Sequence, residues 1–265
     1  MSNSEINSIT LNAKQLQDFD QNGNLVFSNF LDEAYNEKLK VAVDELEGER
    51  KTRKPNIIEL EELGRFTSHP KTMNVLNQLF GEENFGMHHI HATRQDANCP
   101  EVSWHHDYEQ FPQTNRSHLM VHVFYYLNGM NGEIGDLLIL PGSQNTISQR
   151  QMKLFGTQDL PGSITIDSLE PGSMIIVNSA MLHARRAKPG GENTPRYFID
   201  ISYCEKGILW PGYGHGKGSH KEINALALKN GYDRKGRYAH LYDSSDFIPD
   251  KVLLNKNLQL VGSLL

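Results

Sequence analysis

Ser103-Trp104-His105-His106-Asp107-Tyr108-Glu109 reads SWHHDYE and carries two adjacent histidines flanked by acids. If this stretch is extended, its side chains alternate between two faces. His105 and Asp107 then point one way, and Trp104, His106 and Tyr108 the other. Only an i, i+2 pair can converge on one atom while the segment stays a strand, so His105 is the ligand candidate and His106 its neighbour.

Working outward, the chain around this stretch is rich in short β segments. Met87–Thr93, Leu119–Leu127, Leu137–Leu140, Ser163–Ile166, Ser173–Val177 and Arg196–Tyr203 all read as strands. Asn128-Gly129, Asn131-Gly132, Pro141-Gly142, Pro161-Gly162, Pro171-Gly172 and Pro189-Gly190 read as the turns between them. The N-terminal part has a different texture. Ala13, Leu16 and Phe19 repeat at helical spacing with Gly23 as terminator. Leu25-Val26-Phe27 makes a short strand, and Asp32 caps a helix whose apolar face carries Tyr35, Leu39, Ala42 and Leu46. Glu47 to Lys54 reads as loop, and Pro70 opens a third helix closed by Gly81.

Helices first and many short strands after predict a mainly β protein with flanking helices: a double-stranded β-helix, or jelly roll, with the N-terminal helices packed on one sheet. There is no βαβ alternation, which argues against a Rossmann fold. The expected organisation is a single domain over 1–265, with a mostly helical part (1–84), a β core (85–205) and a loop and helix extension (206–265) that includes a short helix over Glu222–Lys229.

Composition narrows the function. The chain has 265 residues, 38% hydrophobic and 22% charged, with a formal charge of −6. No basic stripe is present to neutralise phosphates, and Lys217–Lys221 (KGSHK) is too short to serve, so no nucleic-acid partner is expected. No apolar run approaches the length of a membrane span. The polar opening MSNSEINSIT lacks the order of a signal peptide. The two cysteines, Cys99 and Cys204, are too few for a disulfide scaffold. The expectation is a cytoplasmic protein with reduced thiols.

Histidine is the informative residue, with 12 copies. A His-x-Asp pair supplies one imidazole and one carboxylate, and a distant histidine would complete the 2-His-1-carboxylate triad that leaves open positions on non-haem Fe(II). Taken alone the pair is common by chance. His183 is the candidate third ligand, because it follows the strand Gly172–Asn178 and stands at the end of a core segment. Arg196, at the head of RYFIDISY, could hold a carboxylate in a bidentate fork. His89 and His91 share a strand face with Thr93 and read as pocket-lining or structural, while His118 and His122, around an apolar strand, read as structural.

Four ordered segments, Trp104–Asp107 (WHHD), Asn131–Gln144 (NGEIGDLLILPGSQ), Glu170–His183 (EPGSMIIVNSAMLH) and Thr194–Tyr203 (TPRYFIDISY), resemble the phytanoyl-CoA dioxygenase-like group of Fe(II)/2-oxoglutarate oxygenases. The opening Lys14–Leu31 looks like that group's N-terminus, and WHHDYE is closest to ectoine hydroxylase-type members. The resemblance implies Fe(II) on His105, Asp107 and His183, 2-oxoglutarate chelating the metal, and O2 as oxidant. Arg196 would take the distal carboxylate of 2-oxoglutarate. Arg185 is the alternative and Thr93 a further cosubstrate contact. Two positions depart from the group: Gln144 stands where a histidine is common, and Arg185 where a small hydroxyl residue is common. Asp107 separates the chain from halogenating members and favours hydroxylation of a C–H bond or a related oxidation, with succinate and CO2 as coproducts; desaturation, ring formation and epimerisation use similar ligands and are not separated by the sequence.

Trp104, Asn178 and Gln144 lie near the ligands in sequence and are candidates to orient them. Arg94, Arg116, Arg185, Arg186 and Lys188 offer charge for an anionic or zwitterionic small-molecule substrate. His89, His91, Tyr108, Phe111 and one of Tyr125 and Tyr126 could shape its pocket. The competing expectation is a cupin-like metal protein using the His89-x-His91 spacing without 2-oxoglutarate turnover. The sequence leaves the oligomeric state open.

Overall fold

A computed structural model describes residues 8–96, 99–109, 117–188, 195–212 and 220–248. Phe111, Arg116, His215, the Pro189-Gly190 turn and Lys217 lie outside the described residues. Eleven strands and five α-helices run in the order α1 (Ala13–Asn22), β1 (Asn24–Phe27), α2 (Glu33–Glu49), α3 (Glu61–Phe66), α4 (Pro70–Phe80), β2 (Phe85–Gln95), β3 (Val102–His105), β4 (Met120–Tyr126), β5 (Met130–Asn131), β6 (Asp136–Ile139), β7 (Ile164–Ile166), β8 (Ser168–Leu169), β9 (Ser173–Asn178), β10 (His183–Arg186), β11 (Arg196–Glu205) and α5 (His220–Lys229) among the described residues.

The strands form a five-stranded sheet, β1-β9-β4-β11-β2, and a four-stranded sheet, β3-β10-β6-β7, with β5 and β8 as a separate pair. Every named pairing is antiparallel. This is the expected jelly-roll arrangement of two facing sheets, and strand alternation divides its core in two. On the outer face of the larger sheet, Val121, Val123, Tyr125, Met174, Ile176, Ile199 and Ile201 pack with Phe19, Leu39, Leu46, Phe66 and Leu76 from the helices. On the inner face, Phe124, Tyr126, Ile175 and Val177 meet Leu137 and Ile139 of the smaller sheet. Tyr125 and Tyr126 therefore separate as alternation requires. Tyr125 lies under the helices, its hydroxyl 2.6 Å from Thr72 Oγ1, and Tyr126 turns inward.

The helix ends follow local chemistry. Asn12 and Gln15 form a capping box at the start of α1, and Gly23 closes it at φ 79°. The Asp32 side chain accepts from Tyr35 N at the start of α2. The expected loop from Glu47 is corrected at its beginning, because α2 continues to Glu49. There Glu47 and Glu49 pair with Arg50 and Arg53. Helix α3 was not foreseen. None of the described helices is long and apolar enough to cross a membrane.

Candidate metal centre and its arginine-lined cavity

β3 and β10 are antiparallel neighbours in the smaller sheet, and His105 and His183 are register partners. That pairing alone puts the two imidazoles side by side, with ring centroids 4.3 Å apart. β3 ends at His105, but the chain stays extended enough for the face alternation to hold. Trp104, His106 and Tyr108 are buried, while His105 and Asp107 are half-buried. Backbone bonds from His106 N to Arg150 O (3.0 Å) and from Asp107 N to Ser179 O (2.8 Å) fix the chain beyond the strand. The Asp107 carboxylate then lies 3.6 Å from His105 Nε2 and 3.1 Å from His183 Nε2.

Both imidazoles use the same orienting device. His105 Nδ1 is 2.8 Å from Ser103 O, and His183 Nδ1 is 3.1 Å from Met181 O. A carbonyl only accepts, so each Nδ1 carries a hydrogen, and each Nε2 is left facing Asp107 as the nitrogen placed to ligate a metal. Electrostatics agree. Burial, helped by neighbouring His183, pulls His105 down to about 4. Burial alone would push the Asp107 carboxyl up, but His105 and His183 outweigh it and hold that carboxyl well below the usual carboxylate range. Two imidazole nitrogens and a carboxylate oxygen, all within 4.8 Å of one another, make a donor set that fits a ferrous ion.

A cavity of about 170 Å³ opens beside this triad and is lined also by Gln95, Phe124, Tyr126, Arg185, Arg196, Phe198 and Asp200. Arg196 is buried, and its Nε–H donates to Gln95 Oε1 at 2.8 Å. Its Nη2 also donates to that oxygen. Arg196 Nη1 and Arg185 Nε are buried donors with no hydrogen-bond partner among the described residues. Two guanidiniums with unmatched N–H groups in one enclosure fit a bound carboxylate.

The remaining candidates separate cleanly. Thr93 faces the same side as Gln95, opposite Phe198 in register, but is not among the residues lining the cavity; its hydroxyl is 3.4 Å from Arg94 O. Trp104 donates to Gln158 O, Asn178 accepts from Ala180 N, and Gln144 donates to Asp20 O and Gln21 O at the end of α1. The groups that orient the ligands are backbone carbonyls rather than these three side chains. Arg94 pairs with Asp44 and Asp96 at the surface, and Arg186 and Lys188 are tied to Asp136. Of the proposed basic cluster, only Arg185 lines the cavity among the described residues. Tyr108 packs on Trp210 instead of lining the cavity.

Sequence reasoning missed Gln95 and Asp200. Asp200 is buried and holds both oxygens 2.9 Å from His122 Nδ1. Alternation along RYFIDISY puts residue 200 on the same face as Arg196, which is the signal that could have found it. His122 was expected to be simply structural. Burial pushes it down, but Asp200 wins and raises it to about 9.

No curated protein matches the chain. Among solved structures, the α-ketoglutarate-dependent carbocyclase SnoK of nogalamycin biosynthesis is similar at 16% identity and a TM-score of 0.62, over 78% of this chain and 89% of that one. HygX from Streptomyces hygroscopicus, solved with nickel and 2-oxoglutarate, is similar at 15% identity and a TM-score of 0.61, over 76% and 90%. EctD from S. alaskensis, solved with 2-oxoglutarate and 5-hydroxyectoine, is similar at 16% identity and a TM-score of 0.57, over 73% and 76%. These likenesses support the fold. The profile of phytanoyl-CoA dioxygenase (PhyH) matches residues 19–188, which include β3, β10 and all three members of the triad. With that match over most of its length, the chain belongs to the phytanoyl-CoA dioxygenase family of iron- and 2-oxoglutarate-dependent oxygenases.

Proposed function

We propose that the chain hydroxylates an unactivated C–H bond of a small polar metabolite. The observation that supports this most directly is the opening of one cavity onto both the His105/Asp107/His183 triad and the unmatched donors of Arg185 and Arg196. His105, Asp107 and His183 hold the ferrous ion. Arg196, steadied by Gln95, takes the distal carboxylate of 2-oxoglutarate, and Arg185 adds a second positive group on the same wall. Thr93, one inward position from Gln95 on β2, is the remaining cosubstrate candidate. When bound, iron and 2-oxoglutarate supply the oxidant from O2 by oxidative decarboxylation to succinate and CO2. Phe124, Tyr126 and Phe198 line the cavity wall with aromatic rings.

The same reading treats 1–265 as one domain, supported by Ala227, Tyr232 and Leu241, which share a hydrophobic cluster with the N-terminal helices and the larger sheet. It places the protein in the cytoplasm, with a small molecule carrying an anionic or zwitterionic group as substrate and no nucleic acid or membrane as partner. The test is succinate release from 2-oxoglutarate under Fe(II) and O2, with a panel of polar metabolites. Metal uptake with no succinate above a metal-free control would instead favour the cupin-like reading.

A further inference from the structure

The triad is not the only group of metal-binding side chains inside the β-helix. We infer that His89, His122 and Asp200 form a second divalent-cation site, separate from the first and of the same two-imidazole, one-carboxylate composition. One ligand atom from each lies within 4.8 Å of those of the other two, and all three residues are buried. His122 Nδ1 stands 2.9 Å from both Asp200 oxygens, close to the 3.1 Å between His183 Nε2 and Asp107 in the first triad. A separation near 3 Å is that of neighbouring donors around an ion bound at about 2.1 Å. A cation there replaces the proton between His122 and Asp200. That proton leaves to solvent through the cavity that Asp200 lines, Nδ1 becomes the donor, and the remaining hydrogen stays on Nε2, which has no hydrogen-bond partner among the described residues.

The hydrogen-bond network prepares His89 in the same sense. His88 Nε2 is 2.8 Å from Pro211 O, an acceptor only, so the single hydrogen of neutral His88 sits on Nε2 and its Nδ1 accepts. His88 Nδ1 is 2.7 Å from His89 Nδ1, which is also 2.7 Å from Ser202 Oγ, so this network fixes the orientation of the His89 ring. Burial holds both residues far below the usual histidine range, consistent with neutral rings. The chain from carbonyl to His88 to His89 is a train of the kind that orients metal-binding imidazoles. Asp200 also lines the cavity beside the first triad, which gives an ion a way in. Phe124 stands between the two groups, with ring centroids 5.9 Å from His122 and 5.8 Å from His183. The donor set suits a borderline cation such as Zn²⁺, Co²⁺, Ni²⁺ or Fe²⁺ over Mg²⁺ or Ca²⁺.

The test is cobalt(II) titration of the full chain, stripped by chelator and kept free of oxygen and 2-oxoglutarate, followed by calorimetry and visible absorption. Two ions per chain are expected in the wild type, one in His105→Ala and one in His122→Asn, with different absorption bands for the two survivors. One ion per wild-type chain, lost in His105→Ala and kept in His122→Asn, would overturn the second site and leave the proposed function standing. Failure of the first site instead would show as an ion kept in His105→Ala and lost in His122→Asn. Should His122→Asn fail to fold by circular dichroism, the wild-type stoichiometry decides alone.

Discussion

Arg196 is held by a neutral partner, and that choice has a kinetic consequence. Gln95 Oε1 accepts from Nε and Nη2, which fixes the plane of the guanidinium without cancelling its charge. Gln95→Glu keeps the size and the acceptors but adds a competing carboxylate. A charge-assisted hydrogen bond is worth about 1.5–3 kcal/mol, so the 2-oxoglutarate concentration at half-maximal rate should rise by roughly 10- to 100-fold, with maximal succinate release little changed. An unchanged value would move the anchoring role to Arg185. His105→Ala and Asp107→Ala act at the other end of the cavity, where each removes a donor from the triad. Succinate release should fall to background in both while their circular dichroism spectra stay native. The grouping of His105, Asp107 and His183 was legible because strand alternation and one strand-end histidine are local properties of a sequence. The Gln95 clamp and the His122–Asp200 pair join residues 101 and 78 positions apart and exist only through strand register. No local pattern announces them.

At the scale of elements, the turns and the apolar alternation carried most of the fold. Gly129, Gly142, Gly162 and Gly172 all adopt positive φ at the expected strand breaks. Helix α3 escaped because Glu61–Phe66 spans fewer than two turns, has no side-chain cap and contains a glycine. Packing decides that segment. Leu63 and Phe66 are fully buried, and a Cβ on Gly64 would stand 2.1 Å from Tyr232 Cε2. The Tyr232 hydroxyl in turn donates to Ile58 O, so the ring has little freedom to retreat. Gly64 thus lets the segment after α5 lie against the N-terminal helices. Gly64→Ala improves helix propensity but overpacks this contact, with a net cost of about 1–3 kcal/mol. The melting temperature should drop by about 2–4 °C per kcal/mol in a chain of this size. An unchanged or raised melting temperature would mean that Tyr232 does not pack there.

The whole molecule buries histidines of two opposite kinds, and together they set its pH optimum of stability once metal is removed. His69 and His105 are held neutral, each pulled down to about 4 chiefly by burial, and burial drives His88 and His89 in the same direction. Each binds a proton more readily when unfolded, so stability declines as pH falls from about 6.5 toward 4. The slope approaches about 1.4 kcal/mol per pH unit per histidine. His122 has the reverse sign. Its folded value is raised to about 9 by Asp200, so its contribution is complete below about 6.5 and is lost as pH climbs through 9. His240, also pulled down by burial, adds to the acid side, and the buried Cys204 thiol, pushed well up by burial, adds to the alkaline side because the unfolded chain gives up that proton first. The metal-free chain should therefore melt highest near pH 6.5–7, with a steep fall below and a shallower one above. His122→Asn should make the alkaline limb shallower, leaving the part due to Cys204, and keep the acid limb intact, as read from melting temperatures between pH 5 and 9.5. An alkaline limb as steep in this variant as in the wild type would show that Asp200 does not hold a proton on His122 in the folded chain, since Cys204 alone accounts for only part of it.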